Sequence, residues 1–160
     1  MQEIIDLLEN DARLTPQDIA AMTGKSEAEV LAAIQSLEAE GIILKYSAVI
    51  NHERLPESDT VSAIIEIQVT PVREYGFDAI AERIYRFPQV KTVQLMSGGY
   101  DLHVLVEGKD LKEVALFVSE KLAPLTGVQS TRTHFVLKTY KKNGTYYVDP
   151  KKDSREEITA

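Results

Sequence analysis

The second half of the chain alternates strand-like and helix-like segments in an order that few folds accept. Segments rich in β-branched residues predict strands, segments with apolar residues at helical spacing predict helices, and Gly98-Gly99 predicts a tight turn. In chain order these segments are a strand at 60–69, a helix from 77 to near 87, strands at 90–96 and 100–107, a helix at 111–122 and a strand at 128–140. The order β-α-β-β-α-β around a central hairpin predicts a ferredoxin-like βαββαβ domain.

Such a domain covers one face of its sheet with two helices and leaves the other face open. Alternating apolar residues on the strands predict an apolar open face that needs a cover, and a second copy of the chain is the simplest one. We therefore expect a homodimer. Beyond residue 140 the chain mixes Lys, Asp and Glu without an apolar face. This tail, 141–160, predicts a flexible end with at most a short edge strand at 146–148.

The first forty residues predict three short helices. Apolar residues at positions 4, 5, 7 and 8 mark a lead helix, and Thr15 followed by Pro16 marks the start of a second one. Gly24 permits a sharp turn, and Ser26 with Glu29 forms a capping box for a third helix that ends near Gly41. Two capped helices behind a lead helix indicate a helix-turn-helix unit of the winged-helix-like kind. The alternative is an ordinary three-helix packing unit.

Two further segments define the predicted domain organisation. Residues 42–50 are apolar and β-branched and predict a strand, whereas 51–59 are polar, contain a proline and have no periodicity. The predicted domains are therefore a helix-turn-helix DNA-binding domain with a trailing strand at 1–50, a linker at 51–59, a ferredoxin-like dimerisation domain at 60–140, and the tail.

Composition excludes several classes of function. The chain has 160 residues and no cysteine, which excludes a disulfide scaffold, a thiolate zinc site and a cysteine nucleophile. Its first residues carry acid rather than the basic charge of a secretion signal, and no apolar run approaches the roughly 20 residues that span a bilayer. We expect a cytoplasmic protein without a membrane partner, a metal or a cofactor.

The charge distribution weakens the DNA-binding interpretation. Nine acidic and three basic side chains give residues 1–50 a formal charge of −6, and the predicted recognition helix at 26–40 has no Arg or Lys. Base contacts are still available, because glutamine pairs with adenine, glutamate accepts from cytosine and alanine contacts thymine methyls. The candidate DNA contacts are Lys25, Ser26, Glu27, Ala32, Gln35 and Ser36. Further lysines that could approach DNA are Lys45, Lys138, Lys141, Lys142, Lys151 and Lys152, although a solvated charge run is the simpler interpretation.

Short motifs with a characteristic order and spacing occur in both halves of the chain. In the first half these are Asp11-Ala12-Arg13, Ile19-Ala20, Gly24, Val30, Leu37-Glu38, Glu40-Gly41-Ile42-Ile43, Tyr46 and Ala48-Val49-Ile50. In the second half they are Gly98-Gly99-Tyr100-Asp101 and Thr133-His134-Phe135-Val136-Leu137-Lys138. Together they resemble the motifs of the Lrp/AsnC family of "feast/famine" transcription regulators, and the resemblance covers nearly the whole chain and stops near Gly144. The chain departs from the family in its acidic third helix, where members usually carry Arg or Lys.

The resemblance implies a mechanism for the whole chain. The helix-turn-helix would bind double-stranded promoter DNA as a dimer, and the strand at 42–50 would help to join subunits. The ferredoxin-like domains would pair through their sheets and associate further, into rings or octamers. A small effector, usually an amino acid, would bind near the central hairpin between dimers.

The hairpin has the chemistry that a zwitterion requires. Gly98 and Gly99 leave backbone amides open to a carboxylate, and Asp101 offers a carboxylate to an ammonium group. Tyr100 is a candidate lining residue, and Thr131 and Thr133 are candidates for contacts from a neighbouring subunit. The alternative is structural, because Gly-Gly makes a tight turn with or without a ligand and Asp101 could cap it.

Two other functions compete with DNA-binding regulation. The first is an amino-acid sensor or co-regulator with little DNA binding of its own, which acts by forming mixed oligomers with a DNA-binding relative; the acidic third helix favours it. The second is an enzyme, because a group of sirohaem-intermediate decarboxylases shares this architecture. His52, His103 and His134 lack metal-ligand spacing, and no nucleophile or phosphate-loop motif is present. We therefore expect no catalytic residues.

Overall fold

The structure is a computed structural model that describes residues 1–56, 60–70 and 76–148. The chain divides into two compact units, Met1–Ile50 and Asn51–Ala160. The N-terminal unit contains three helices, α1 (Gln2–Asn10), α2 (Pro16–Thr23) and α3 (Glu27–Ala39). Each contributes apolar side chains to one small core, whose buried members are Ile4, Leu8, Ile19 and Val30. The three helices predicted from the sequence are confirmed.

Reciprocal hydrogen bonds fix the starts of α2 and α3. The Thr15 hydroxyl accepts from the Asp18 amide at 3.2 Å, while the Asp18 carboxylate accepts from the Thr15 amide at 2.9 Å. Ser26 and Glu29 repeat the arrangement at 3.3 and 2.8 Å. Gly24 ends α2 with a φ of 69°, a left-handed conformation that other residues adopt only at a cost. The predicted capping boxes and turn therefore set the spacing of the helix-turn-helix.

The predicted strand at 42–50 is wrong for this structure. Residues 44–50 belong to no helix or strand, because a strand needs a neighbour for its N–H and C=O groups and no strand pair of the described chain includes them. We call residues 42–50 the connector segment, and its side chains are largely exposed. Its exposed large apolar residues are Ile42, Leu44, Tyr46, Val49 and Ile50.

The C-terminal unit has the predicted ferredoxin-like order of elements. They are β1 (Val61–Val69), α4 (Asp78–Tyr85), β2 (Val90–Leu95), β3 (Leu102–Gly108), α5 (Leu111–Phe117) and β4 (Val128–Phe135), with a π-helical turn at Val118–Leu122 that continues α5. The antiparallel sheet has the order β2-β3-β1-β4, so β1 lies between β3 and β4. The fold class predicted from the sequence is confirmed.

Alternation along the strands places the core on one face of this sheet. Buried β1 residues such as Ile65 and Ile67 pair directly with Val104 and Leu102 on β3. Side chains from α4 and α5 cover them, and Phe87 packs edge-on against Phe117 with ring centroids 5.2 Å apart. This face of the sheet is therefore covered within one chain along the two central strands, β1 and β3.

The opposite face of the sheet is mostly polar, which corrects the predicted apolar face. Its side chains include Ser62, Ile64, Glu66, Gln68, His103, Leu105, Glu107, Ser130, Arg132 and His134, as the strand register shows. Of these only Ile64 and Leu105 are apolar, because the other large apolar residues of the central strands lie at the alternate positions that face the helices. The need to cover an apolar sheet therefore no longer argues for a dimer.

The segment after β4 also differs from the prediction. Strand β4 ends at Phe135 rather than residue 140, and the expected tail contains a hairpin of β5 (Lys141–Lys142) and β6 (Thr145–Tyr146). Asn143 and Gly144 join these strands with φ angles of 48° and 76°, the conformation of an Asn-Gly hairpin turn. Of the predicted edge strand at 146–148 only Tyr146 lies in a strand, and it pairs with β5 in a separate two-stranded sheet rather than at the edge of the main sheet. Residues 149–160 lie outside the described chain. In the predicted linker His52–Arg54 form one 3-10 turn.

The two capping boxes predict acid-sensitive stability of the N-terminal unit. Hydrogen bonds from Thr15 hold the pKa of Asp18 below its ordinary value of 3.8, and those from Ser26 hold the pKa of Glu29 below 4.5. A carboxylate whose pKa is lower in the folded state stabilises the fold above its unfolded pKa, and this stabilisation is lost as the pH falls through the folded pKa. We expect the double variant Asp18→Asn/Glu29→Gln to melt at a lower temperature than wild type at pH 7, with a difference that shrinks below about pH 4.

The measurement is thermal unfolding followed by circular dichroism at pH 7 and pH 3. The control is Glu3→Gln/Glu9→Gln, which removes two carboxylates of α1 that belong to neither box. A difference between wild type and the capping variant that is equal at both pH values would contradict the assignment.

Candidate DNA-binding and effector sites

The exposed surface of α3 carries most of the predicted DNA contacts. Lys25, Glu27, Ala32 and Gln35 are exposed, while Val30 and Leu37 turn the opposite side of the helix toward the interior. The two serines are already engaged in local hydrogen bonds: the Ser26 hydroxyl donates to Glu29 at 2.6 Å, and the Ser36 hydroxyl donates to Glu40 at 2.6 Å. The serines therefore stabilise the helix, and the lysine, alanine and glutamine are better placed to reach DNA.

Local hydrogen bonds also occupy two of the carboxylates of α3, Glu29 and Glu38. Glu38 accepts from the Tyr46 hydroxyl at 2.9 Å, and partial burial together with this bond raises the pKa of Tyr46. Glu29 keeps its negative charge at neutral pH, because its pKa is lowered. The helix surface therefore opposes phosphate, and Lys25 is the cation next to the helix start.

The Gly98-Gly99 turn is tied to β1 through Asp101. The Asp101 amide donates to the Ile67 carbonyl at 3.0 Å, and its Oδ2 accepts from the Val69 amide at 2.9 Å. This contact lies where the register of β1 against β4 shifts, between Gln68 and Val69. Asp101 precedes β3 rather than lying within it. Its carboxylate links the hairpin turn to the residue of β1 at which the register shifts.

A cavity of about 140 Å³ lies beside this turn. It brings together three of the predicted effector residues, Gly99, Tyr100 and Thr131. Gly98, Asp101 and Thr133 are not among the residues that line it; Thr133 lies further along β4, where it pairs with Ile65. The cavity is smaller than the roughly 300–1,000 Å³ of pockets for drug-sized ligands and suits a molecule of amino-acid size.

Four polar residues that the sequence reasoning missed complete the lining: Glu66, Gln68, Ser130 and Arg132. Gln68 donates to the Gly99 carbonyl at 3.1 Å and accepts from the Ser130 hydroxyl at 2.9 Å. The Arg132 guanidinium lies 3.5 Å from the Glu66 carboxylate. The sequence did contain a signal for these residues. Late in β1 a polar residue occupies every second position, whereas a strand that is buried on both faces is apolar throughout.

These contacts give the cavity one cation and one anion on adjacent strands. Glu66 pairs directly with Arg132 across β1 and β4, and its other oxygen lies 3.3 Å from Nε2 of His134. A guanidinium binds a carboxylate through charge-assisted hydrogen bonds, and a carboxylate accepts equally well from an ammonium group. The arrangement can therefore bind the two charged groups of a free amino acid.

A larger depression, of about 480 Å³, lies at the other end of the β2–β3 hairpin. It is shallow and contains none of the predicted effector residues; its charged lining residues are Lys91, Glu107, Lys109 and Glu113. Of the three histidines, His103 has its Nδ1 3.4 Å from the Tyr100 hydroxyl and His134 contacts Glu66, while His52 lies in the 3-10 turn. Among the residues with a described position, no group of three His, Cys, Asp or Glu side chains is arranged to hold a metal ion. None of the helices in that part of the chain is long and apolar enough to cross a membrane.

Comparisons with known proteins assign both units. A model of winged helix-turn-helix DNA-binding domains matches residues 2–43, and a model of the Lrp/AsnC ligand binding domain matches residues 62–146. The chain is 44% identical over 153 residues to the HTH-type transcriptional regulator YugG of Bacillus subtilis (strain 168), with 96% of this chain and 92% of YugG covered.

Solved structures share the fold. The crystal structure of PH0061 superposes with a TM-score of 0.77 at 21% identity and covers 88% of this chain and 93% of its own. The transcriptional regulator NMB0573 of Neisseria meningitidis, solved as a complex with L-Met, gives a TM-score of 0.71 at 24% identity, with 88% and 89% covered.

A winged helix-turn-helix followed by a ligand-binding domain is the architecture of a transcription regulator. The chain belongs to the Lrp/AsnC family of such regulators. The resemblance drawn from its short sequence motifs is thereby confirmed. The two matched domain models describe parts of transcription regulators rather than enzymes, and the relative YugG is named as a transcription regulator.

Proposed function

We propose that this protein binds promoter DNA through α3 as a dimer and changes its DNA occupancy when a free amino acid binds beside the Gly98-Gly99 turn. The observation that carries the proposal is the polar cavity at that turn, with Arg132 and Glu66 side by side, in a chain that also has a winged helix-turn-helix.

DNA contact by α3 relies on few residues. Gln35 is exposed and has the side chain that pairs with adenine, and Ala32 can contact a thymine methyl group. Lys25 supplies one phosphate contact per subunit. Because Glu27 and the capping carboxylates oppose phosphate, each subunit binds weakly and with strong salt dependence. Binding through two or more linked subunits compensates, since the second contact forms at a high effective concentration.

The effector is an amino acid held by its charged groups. Its carboxylate binds Arg132 and its ammonium group binds Glu66, with Gly99, Tyr100 and Thr131 forming the walls. Gly98 and Asp101 shape the turn, and Thr133, which pairs with Ile65 outside the cavity, has no contact with the effector in this proposal. The L-Met complex of NMB0573 supports an amino acid as the class of effector. A neighbouring dimer closes the open side of the cavity.

Self-association begins at the connector segment rather than at an apolar sheet. Contiguous exposed apolar residues mark protein interfaces, and Leu44 is 87% exposed in one chain. The segment is rich in apolar residues and belongs to no helix or strand within one chain, so it pairs as a strand with the same segment of a second copy and satisfies its backbone groups. Such dimers then assemble further, and an octamer is the assembly that the family resemblance favours.

A second function is favoured by one observation. The acidic surface of α3 suits a co-regulator that senses an amino acid and enters mixed oligomers with a DNA-binding relative. This protein would then lower the activity of its partner by dilution. Absence of DNA binding by the purified protein, together with retained amino-acid binding, would favour this function over the first.

For DNA binding, we expect wild type to prefer a duplex from upstream of its own gene over an unrelated duplex of equal length. In Gln35→Ala the ratio of the two affinities should fall about tenfold, because one bidentate base contact contributes roughly 1–3 kcal/mol. Fluorescence anisotropy at several salt concentrations measures both affinities. Gln2→Ala, on α1, is the matched control. Unchanged preference in Gln35→Ala would contradict the assigned contact, and no binding by wild type at low salt would remove the first function.

For the effector, calorimetric titration with individual amino acids should identify one or a few that bind. Arg132→Gln and Glu66→Gln should each weaken that binding by about tenfold or more, because each removes a charge-assisted hydrogen bond. Arg86 and Glu82 form a comparable exposed ion pair on and after α4, so Arg86→Gln and Glu82→Gln are the matched controls. Equal affinity in wild type and Arg132→Gln would mean that the site has been misplaced.

For self-association, Leu44→Glu should weaken the dimer about hundredfold. Two copies lose the burial of one leucine each, at least about 3 kcal/mol together. Light scattering after size-exclusion chromatography measures the mass. Leu111→Glu on α5 changes an equally apolar residue that is 56% exposed, and it should leave the dimer intact. A dimer of unchanged stability in Leu44→Glu would exclude the connector segment from the interface.

A further inference from the structure

The hairpin after β4 concentrates positive charge in an otherwise acidic protein. Residues 137–147 contain three lysines, three tyrosines and no acidic residue, whereas the whole chain has a net charge of −7. The lysine hairpin, defined as residues 138–147, exposes Lys138, Lys141 and Lys142. This local excess of cations contrasts with α3, which has none.

Core packing does not explain this composition. Tyr140 is 64% exposed and Tyr146 is 62% exposed, so neither ring is buried against the sheet. The rings instead lie beneath ammonium groups: Nζ of Lys138 is 5.1 Å from the centre of the Tyr140 ring, and Nζ of Lys141 is 4.7 Å from that of Tyr146. Cation–π contacts of this kind hold long lysine side chains in place while leaving the charge accessible.

Hydrogen bonds hold the backbone of the hairpin in a defined conformation. Lys141 pairs with Tyr146 and Lys142 with Thr145, and the Tyr147 amide donates to the Tyr140 carbonyl at 2.9 Å. Two contacts tie the hairpin to residues 51–54: the Asn51 side-chain amide donates to the Tyr147 carbonyl at 3.1 Å, and the Thr139 amide donates to Glu53 at 3.3 Å. Asn51 and Glu53 belong to the same C-terminal unit as the hairpin, so these contacts hold the hairpin in place within that unit.

We propose that the lysine hairpin is a second DNA-binding surface, which contacts the phosphate backbone of the duplex that α3 reads. This inference rests on the proposed DNA binding. Lysine ammonium groups and tyrosine hydroxyls are both phosphate ligands, and the hairpin places Lys141 beside Tyr146 on one of its faces. The hairpin supplies the sequence-independent affinity that α3 lacks, so recognition and affinity come from different parts of the chain.

The test compares two full-length double variants with the same change in charge. Lys141→Gln/Lys142→Gln removes two hairpin cations, and Lys112→Gln/Lys121→Gln removes two exposed cations from α5 and the turn that continues it. Affinities for the upstream duplex and for an unrelated duplex of equal length are measured by anisotropy between about 50 and 200 mM salt, the range over which phosphate contacts dominate. Circular dichroism checks that each variant is folded.

We expect the hairpin variant to lose about tenfold in affinity for both duplexes, with an unchanged preference between them. Its slope of log affinity against log salt should fall by about 0.9 for each phosphate contact removed. Lys141→Arg/Lys142→Arg should restore wild-type binding, and the α5 variant should stay within about twofold of wild type, as expected of lysines that contact no phosphate.

Three results would overturn the inference. Equal losses in the hairpin and α5 variants would indicate a general charge effect, and unchanged slopes in the hairpin variant would mean that it does not touch DNA. Both leave the role of α3 intact, which Gln35→Ala tests separately through preference. If wild type binds neither duplex at low salt, the proposed DNA binding and this inference fail together.

Discussion

The alternation of side chains along the central strand β1 separates the core of the C-terminal unit from its candidate site. Ile65 and Ile67 face the helices, and Glu66 and Gln68 between and beyond them face the other way. A shift of one residue would turn the carboxylate of Glu66 into the core, where an unpaired charge is very costly. The hydrophobic core therefore fixes the register that places Glu66 opposite Arg132 and Gln68 against the Gly99 carbonyl.

The same strand explains why the hairpin turn is well defined despite its two glycines. Gly98 has a φ of 149° and open space around it, so packing alone does not hold the turn. Hydrogen bonds from β1 do: Gln68 binds the Gly99 carbonyl and the Val69 amide binds the Asp101 carboxylate. A ligand that breaks the hydrogen bond from Gln68 to Gly99 would therefore change the conformation of the turn without movement of the core.

In the N-terminal unit, stability and DNA affinity place opposite demands on the same carboxylates. Asp18 and Glu29 complete capping boxes, and negative charge at a helix N-terminus is favourable. The hydrogen bonds that make Glu29 useful to the fold also lower its pKa and keep it charged next to any phosphate. A helix-turn-helix stabilised in this way needs its cations elsewhere, which is consistent with a lysine-rich surface outside α3.

The sequence predicted the elements whose signals are local and missed the features that depend on distant pairing. Capping boxes, the Gly24 turn and the β-α-β-β-α-β order follow from residues a few positions apart. Arg132 and Ser130 belong to the candidate effector site only because β4 pairs with β1, more than 60 residues away along the chain. The strand expected at 42–50 is absent because apolar composition alone does not supply a hydrogen-bonding partner, and this segment pairs with no strand in the described part of the chain. The Asn143-Gly144 pair is a local sequence signal for a hairpin turn. The charged composition of the tail led instead to the prediction of a flexible end.

If each subunit binds DNA weakly, assembly controls regulation more than α3 does. A second subunit on the same duplex binds at an effective concentration that reaches the millimolar range for short connections, so a dimer retains DNA that a monomer releases. An amino acid between dimers then needs no contact with DNA to change promoter occupancy; it only has to favour one assembly over another. By linkage, DNA that favours the same assembly raises the affinity for the amino acid by the same factor. An effector site on the sheet and a reading helix in a separate unit are therefore sufficient for a switch, provided that the oligomer connects them.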